Sequence, residues 1–259
     1  MPYIADILIY PIKSLDGVGV NRARILAGGA LERDREFAIL DAQGRFVNGK
    51  RNAKVHLLRS FWDETGKTVT LQIEGKQEKR VFDLAENRTE LAAWFSDYFG
   101  FSVQLARNSL TGFPDDTIAS GPTIISTATL EEVASWFPGI TVAEMRQRLR
   151  ANIEISGVPP FWEDRLFADD GEIVQFKIGE VLFEGINPCQ RCIVPTRNSR
   201  TGESSPNFQK LFSQKREETL PSWVNLSRFN HFYRLSVNTK IPTSEAGKMV
   251  QVGDEIARL

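Results

Sequence analysis

Cys189 and Cys192 are the only two thiols of this 259-residue sequence, and they stand in the run Asn187-Pro188-Cys189-Gln190-Arg191-Cys192-Ile193-Val194-Pro195-Thr196. A CxxC pair admits several chemistries. Structural zinc takes four N or S ligands, yet no second cysteine pair is present, and the two histidines, His56 and His231, are isolated rather than at ligand spacing. A dithiol redox centre belongs at a helix start in an early βαβ unit, whereas this pair falls late, between an expected strand and a Pro-containing loop. Two cysteines packed as small hydrophobes are the plainest alternative. Arg191 argues for reactivity, because a neighbouring cation favours the thiolate, the form that ligates soft metals or attacks electrophiles.

Three further clusters offer cations and hydroxyls. Tyr10-Pro11-Ile12-Lys13-Ser14 ends an expected strand before Leu15-Asp16-Gly17, so Lys13 and Ser14 stand at a turn where both can point into a cleft. Arg33-Asp34-Arg35 precedes an apolar strand, and Arg150-Ala151-Asn152 follows a helix. Taken singly, each has a mundane reading: a solvated lysine, a surface ion pair of about 0–1 kcal/mol, and a cation that complements the helix dipole.

The elements that position these groups are short. Strands are expected at Ile4–Ile12, Val18–Leu26, Glu36–Asp41, Thr68–Glu74 and Lys79–Leu84, with turns at Ala42–Arg45 and Thr65-Gly66-Lys67. This pattern predicts a barrel or strongly bent sheet. A helix is expected over Thr89–Phe99, with Asn87 and Glu90 as a capping box and Gly100 as its stop. The polar stretch Asn108–Gly121 breaks both periodicities, and the domain junction is placed there, with residues 1–112 forming one domain and 113–259 the other. Beyond it come a strand Thr123–Ser126, a helix Thr129–Phe137 capped by Thr129 and Glu132, and a helix Val142–Leu149 capped by Thr141 and Glu144. Strands follow at Asn152–Ser156, Ile173–Ile178, Glu180–Phe183, His231–Asn238 and Met249–Leu259, and Ser205-Pro206 is expected to open a helix through Phe212. The fold class is therefore mainly β with α, an α+β protein.

Composition narrows the function. Hydrophobic residues at 41% and charged residues at 25% are those of an ordinary globular protein. Thirty-two Lys and Arg against 33 Asp and Glu leave a net charge of −1, without the basic excess that binding to a nucleic-acid backbone exploits. No apolar run approaches the roughly 18 residues that cross a bilayer, and the N-terminus lacks a secretory pattern. A cytoplasmic protein with no nucleic-acid partner is expected.

The clusters together, in their order along the chain, resemble the MOSC proteins that carry an N-terminal MOSC β-barrel domain, a group that includes the mitochondrial amidoxime-reducing component and its bacterial relatives. The resemblance rests on Tyr10–Ser14, Arg33–Arg35, Arg150–Ile153, Cys189–Cys192, the loop from Thr196 to Thr201-Gly202, and Val252-Gly253-Asp254. It implies an N-terminal β-barrel packed on a MOSC barrel, with a molybdenum cofactor, molybdopterin bearing Mo, in the cleft between them. It further implies Cys192 as the metal ligand and catalytic thiolate, with Cys189 and Arg191 beside it. Lys13, Ser14, Arg35, Arg150 and Asn152 become anchors for the pterin and its phosphate. Ser120 and Thr123 become cofactor hydrogen-bonding groups, and Thr196 and Asn198 shape the loop by the metal. The implied reaction is reduction of small N-oxygenated compounds, and the alternative is a cofactor or sulfur carrier using a cysteine persulfide. No cysteine is left for an iron–sulfur cluster, and the ferredoxin domain that is fused to some relatives is not expected after Val252-Gly253-Asp254. A separate electron-transfer protein of ferredoxin, flavin reductase or cytochrome type is expected. Asn198 stands where relatives often carry Asp, and Ala151 where they carry Pro. Lys50 and Arg51 fall on a turn that faces the substrate in relatives.

Overall fold

The computed structural model describes residues 1–63 and 66–259. The turn expected at Thr65-Gly66-Lys67 begins outside the described residues. The segment Tyr3–Ile9 forms strand β1, and an irregularity between Ile4 and Asp6 shifts its alternation so that Ile4, Ile7 and Ile9 are all buried. The expected strand Val18–Leu26 is instead two strands, β2 (Val18–Val20) and β3 (Arg22–Arg24), because the chain bends at Asn21 from one sheet into another. Next come β4 (Phe37–Asp41), β5 (Leu58–Trp62), β6 (Thr68–Ile73), β7 (Lys79–Asp83), helix α1 (Arg88–Phe99) and β8 (Val103–Arg107). Strands β5 and β8 are additions to the expected set; in β5 the buried third position is Ser60, which interrupts the apolar alternation.

The second half contributes β9 (Ile124–Ser126), α2 (Thr127–Ser135), α3 (Val142–Leu149), β10 (Ile153–Ser156), β11 (Val174–Ile178), β12 (Val181–Gln190), α4 (Phe208–Glu218), β13 (Arg234–Lys240), β14 (Met249–Gln251) and β15 (Ile256–Arg258). The protein is mainly β with α, as expected. Eight strands form one sheet in the order β15-β11-β12-β13-β9-β10-β1-β2, so the first strand of the chain lies among the last. Ile256 N donates to Pro2 O and Ile4 N to Asp254 O, both at 2.9 Å, which joins the β15 edge to β1 and curls the sheet into a barrel. Its interior holds Ile4, Ile7, Ile153, Phe176, Phe183 and Val237. A second core, with Ile12, Phe37, Leu58, Leu71 and Phe95, lies among β4–β8 and α1. A third packs α2, α3 and α4 through Leu130, Met145, Phe208 and Phe212.

Helix caps differ in instructive ways. Thr141 accepts from Glu144 N at 3.1 Å, as its position before α3 predicts. Helix α2 is capped by Ser126, not Thr129: β9 runs directly into the helix, and Thr129 lies inside it, where its hydroxyl accepts from Phe161 N at 2.6 Å. Asn87 makes no side-chain cap, because its amide oxygen accepts from Asp83 N at the end of β7. Ser205 does not open α4 either; its hydroxyl accepts from Arg148, and Asn207 in left-handed conformation precedes the helix.

The strand expected to stop at Phe183 continues through Pro188 and Cys189 to Gln190. Cys189 is therefore a strand residue. Its pairing with β13 is irregular: Pro188 faces Val237 and Gln190 faces Arg234, so the single residue Cys189 lies opposite two, Leu235 and Ser236. This bulge puts buried Ser236 at φ +69°, a left-handed conformation that a non-glycine residue adopts only under constraint.

Candidate functional site

Where β1 ends, the chain wraps around Tyr10. Its backbone N–H donates to Asp34 Oδ1 at 2.9 Å, its carbonyl accepts from Arg35 N at 2.9 Å, and its phenol donates to Ala151 O at 3.2 Å. Arg150 ends α3 in left-handed conformation, φ +54°, a cap position where glycine is usual. That turn brings its guanidinium over the Tyr10 ring at 4.1 Å, and its Nη2 donates to Leu15 O at 2.6 Å. Arg35, φ +51°, approaches the same ring from 5.4 Å, pairs with Asp34 and reaches Asn152 Oδ1 at 3.3 Å. Ser14 is also left-handed, φ +77°. Backbone strain thus gathers where three separate segments aim polar groups at one place, a pattern typical of ligand sites.

These groups line a cavity of about 660 Å³. Lys13 Nζ donates to Phe113 O and to Asp115 Oδ1, each at 2.8 Å, and lies 5.1 Å from the centre of the Phe46 ring. Burial lowers the Lys13 pKa, with Asp115 opposing it. Burial also works to raise the Asp115 pKa, but Lys13 and then Arg35 outweigh it and hold the carboxyl well below its ordinary range. Burial lowers the pKa of Arg150 and raises that of Tyr10, whose ionised form Arg150 and Arg35 would otherwise favour. Ten Lys and Arg residues line the cavity against four Asp. A chain with almost no net charge has therefore concentrated its cations in one place, which suits an anionic ligand.

The thiols close the far side. Both cysteines are free, half-buried and part of the cavity wall. Arg191 Nη1 donates to Cys189 Sγ at 3.3 Å, and its Nη2 is held by Leu149 O, so the arginine between the cysteines ties the thiol strand to the end of α3. Burial raises the pKa of Tyr233, opposed by Arg191 and reinforced by Cys192, and its buried hydroxyl has no partner among the described residues. In sheet order β12 lies four steps from β1. Arg191 also acts electrostatically on Tyr10, so the thiol strand and the Tyr10 turn face one cavity.

The residues singled out in the sequence largely meet here: Lys13, Ser14, Arg35, Ser120, Thr123, Arg150, Asn152, Cys189, Arg191 and Cys192 all line the cavity. Two hydroxyls or amides among them are already engaged, Ser120 Oγ with Gly28 O at 2.8 Å and Asn152 Nδ2 with Leu8 O at 3.0 Å. Thr196 and Asn198 are not among the lining residues. Thr196 Oγ1 donates to Ile193 O at 2.7 Å within its own turn, and Asn198 Oδ1 accepts from Arg200 N and Thr201 N at 2.9 and 3.0 Å. An aspartate would accept the same pair, so Asn198 preserves the loop. Lys50 lines the cavity and Arg51 does not.

Several lining residues escaped the sequence reading. Asp115 lies in the stretch 108–121, whose polarity marks a boundary, and only the fold brings it onto Lys13. Arg59 joins the two halves: its Nη2 donates to His56 O at 2.6 Å and Ser199 O at 3.0 Å, and it pairs with Asp16 and Glu74 at 3.4 Å. His56, Arg197, Arg228 and Arg234 are single residues without motif context.

Fold and site together define an α+β barrel protein with a cation-rich cleft that ends on a pair of thiols. Residues 1–102 match the model of the MOSC N-terminal beta barrel domain and residues 122–257 that of the MOSC domain, so the chain belongs to the MOSC family. Among curated proteins it is similar to molybdenum cofactor sulfurases, at 24% identity to that of Drosophila mojavensis over 88% of this chain and 32% of the relative. The Homo sapiens protein of that name is 22% identical over 83% and 28%, and the Oryza sativa subsp. japonica one 24% over 98% and 35%. The chain spans about a third of the length of these relatives.

Proposed function

We propose that the cleft holds a molybdenum cofactor, with Cys192 giving the metal a thiolate. The carrying observation is the cavity that sets ten cations against four carboxylates and ends on Cys192. A phosphate-bearing pterin carries the negative charge that such a wall favours, and a soft thiolate suits the metal. The fit extends to what is missing: among the described residues no three His, Cys, Asp or Glu converge on one point. A metal at Cys192 must then bring most of its ligands, as a dithiolene cofactor does. The buried Nε atoms of Arg191 and Arg197 also lack hydrogen-bond partners among the described residues.

Lys13, Ser14, Arg35, Arg150 and Asn152 would hold the pterin and phosphate, and Ser120 and Thr123 would complete its hydrogen bonds. When bound, the cofactor supplies two-electron oxygen-atom exchange. In the finer reading the protein reduces N-oxygenated compounds such as amidoximes, hydroxylamines and N-hydroxylated bases. The change from N–OH to N–H and water takes two electrons and two protons, and the electrons come from a separate redox protein. The chain's residues fix the cofactor, hold Cys192 and shape the pocket. Burial lowers the pKa of His56, on the same wall, with its contact to Gly49 O opposing the shift.

The names of the relatives favour a second reading, in which Cys192 carries sulfur as a persulfide. Lys13, Arg35 and Arg150 count against it, since a bare sulfur carrier has no need of a phosphate site. Turnover separates the two. Protein purified from a host that makes the cofactor, supplied with a reduced viologen, is expected to convert benzamidoxime to benzamidine, and Cys192→Ala to abolish this. No turnover, with a sulfur atom found on Cys192 by mass spectrometry, establishes the carrier instead.

A further inference from the structure

The cavity holds a second cluster of cations that the cofactor anchors do not include. Arg228 and Arg234 both reach back to strand β12: Arg228 Nη2 donates to Ile186 O and Arg234 Nη1 to Pro188 O, each at 3.1 Å. These carbonyls are two residues apart on β12, directly before Cys189. Neither charge is well neutralised. Arg228, only 10% exposed, pairs with Asp170, which is fully exposed, at 3.1 Å. Arg234 has no carboxylate partner among the described residues and otherwise donates to Asn230 Oδ1. The four aspartates that line the cavity, Asp16, Asp34, Asp115 and Asp116, make no ion pair with Arg228 or Arg234 among the described residues. Burial lowers the Arg234 pKa and Arg228 lowers it further, with Cys189 opposing them, as expected of two cations held close together beside a thiol.

Two convergent guanidiniums beside the thiols recognise a carboxylate or phosphate. Lys13, Arg35 and Arg150 cluster at the Tyr10 turn, whereas this pair is held by carbonyls of β12. We infer that Arg228 and Arg234 form an anion subsite for the substrate, so that the preferred substrates carry a carboxylate or phosphate a short distance from the group that reacts at Cys192. The pair would orient the substrate as specificity-determining residues. This inference rests on the cofactor reading above for the direction in which the substrate lies.

The test uses cofactor-loaded protein and matched ligands. Calorimetric titration should show 4-carboxybenzamidine binding about tenfold more tightly than benzamidine, and Arg234→Gln should remove that preference while Arg234→Lys keeps part of it. Arg228→Gln reads the same preference if Arg234→Gln does not fold. The KM ratio of benzamidoxime to 4-carboxybenzamidoxime should fall by a similar factor in the variant. Molybdenum and pterin content should stay with Arg234→Gln. Loss of both from that variant assigns the pair to the cofactor's phosphate and overturns the proposal. Equal affinity of the wild type for the charged and neutral amidines also overturns it. Failure to reduce either amidoxime would sink the reductase reading, and the titration would still decide the subsite.

Discussion

The two ends of the cleft are built on opposite principles. At the Tyr10 end the three anchoring cations are each held by a fixed partner: Lys13 on Asp115, Arg35 on Asp34, and Arg150 on the Tyr10 ring and Leu15 O. At the β12–β13 end the thiols are half-buried, the strand pair is bulged, and Arg234 lacks a carboxylate. In the cavity wall the shielded ion pair, Arg35 with Asp34, lies at the Tyr10 end, where removing one partner strands the other, whereas the shielded pair Arg216–Asp164 lies beneath the β12–β13 end. Rigid geometry is what anchoring a ligand requires, whereas a reactive end must leave room for a substrate to enter.

That contrast can be broken by mutation. The largest effect is expected from Asp34→Ala, which leaves buried Arg35 unpaired and Tyr10 N without its acceptor; urea denaturation should show a loss of about 3–5 kcal/mol. Cys189→Ala at the opposite end should cost less than about 1 kcal/mol. Equal losses would mean that the two ends are equally structural.

Beneath the reactive end, Arg216 is fully buried, paired with Asp164, stacked 4.4 Å from the Phe161 ring and hydrogen-bonded to Arg234 O at 3.3 Å. Its neighbour Glu163 has its pKa pushed up from 4.5 to about 7 by burial and by Asp164, and its Oε2 has no hydrogen-bond partner among the described residues. The folded state thus keeps a proton that the unfolded chain has released. Glu163 stabilises fully below about pH 4.5, and that contribution is lost as pH rises to about 7. Glu163→Gln should flatten this slope and raise stability at pH 8 by about 1–3 kcal/mol, measured by denaturation at pH 5 and 8. An unchanged slope would show that Glu163 does not titrate in this range. The smallest effect is expected at the bulge: Ser236→Gly relieves a left-handed residue and removes a buried hydroxyl without a partner. A gain of about 1 kcal/mol is predicted, and a loss would show that the hydroxyl has a partner.

Legibility in the sequence follows the same division. The anchoring end is written in contiguous runs, Tyr10–Ser14, Arg33–Arg35 and Arg150–Asn152, where a strand end, a turn and a helix end each announce a reversal of the chain. The Thr141 cap was readable because nothing nearby competes for its hydroxyl. Thr129 and Ser205 look equally good as caps, yet Phe161 N and Arg148, distant in sequence, take their oxygens. The reactive end is harder to read. The bulge that holds Cys189 in a strand lies in Leu235-Ser236, more than forty residues further on, and nothing local marks it. Arg228 and Arg234 likewise become neighbours of the cysteines only through the β12–β13 pairing.

The direct measurement is the molybdenum and pterin content of protein purified from a host that makes the cofactor, for the wild type and for Lys13→Ala, Arg35→Ala and Cys192→Ala. The predicted result is stoichiometric metal and pterin in the wild type, metal lost from Cys192→Ala, and both reduced in the folded Lys13 and Arg35 variants. Wild-type protein without either, or anchor variants that retain both in full, would contradict the assignment of this cleft to a molybdenum cofactor.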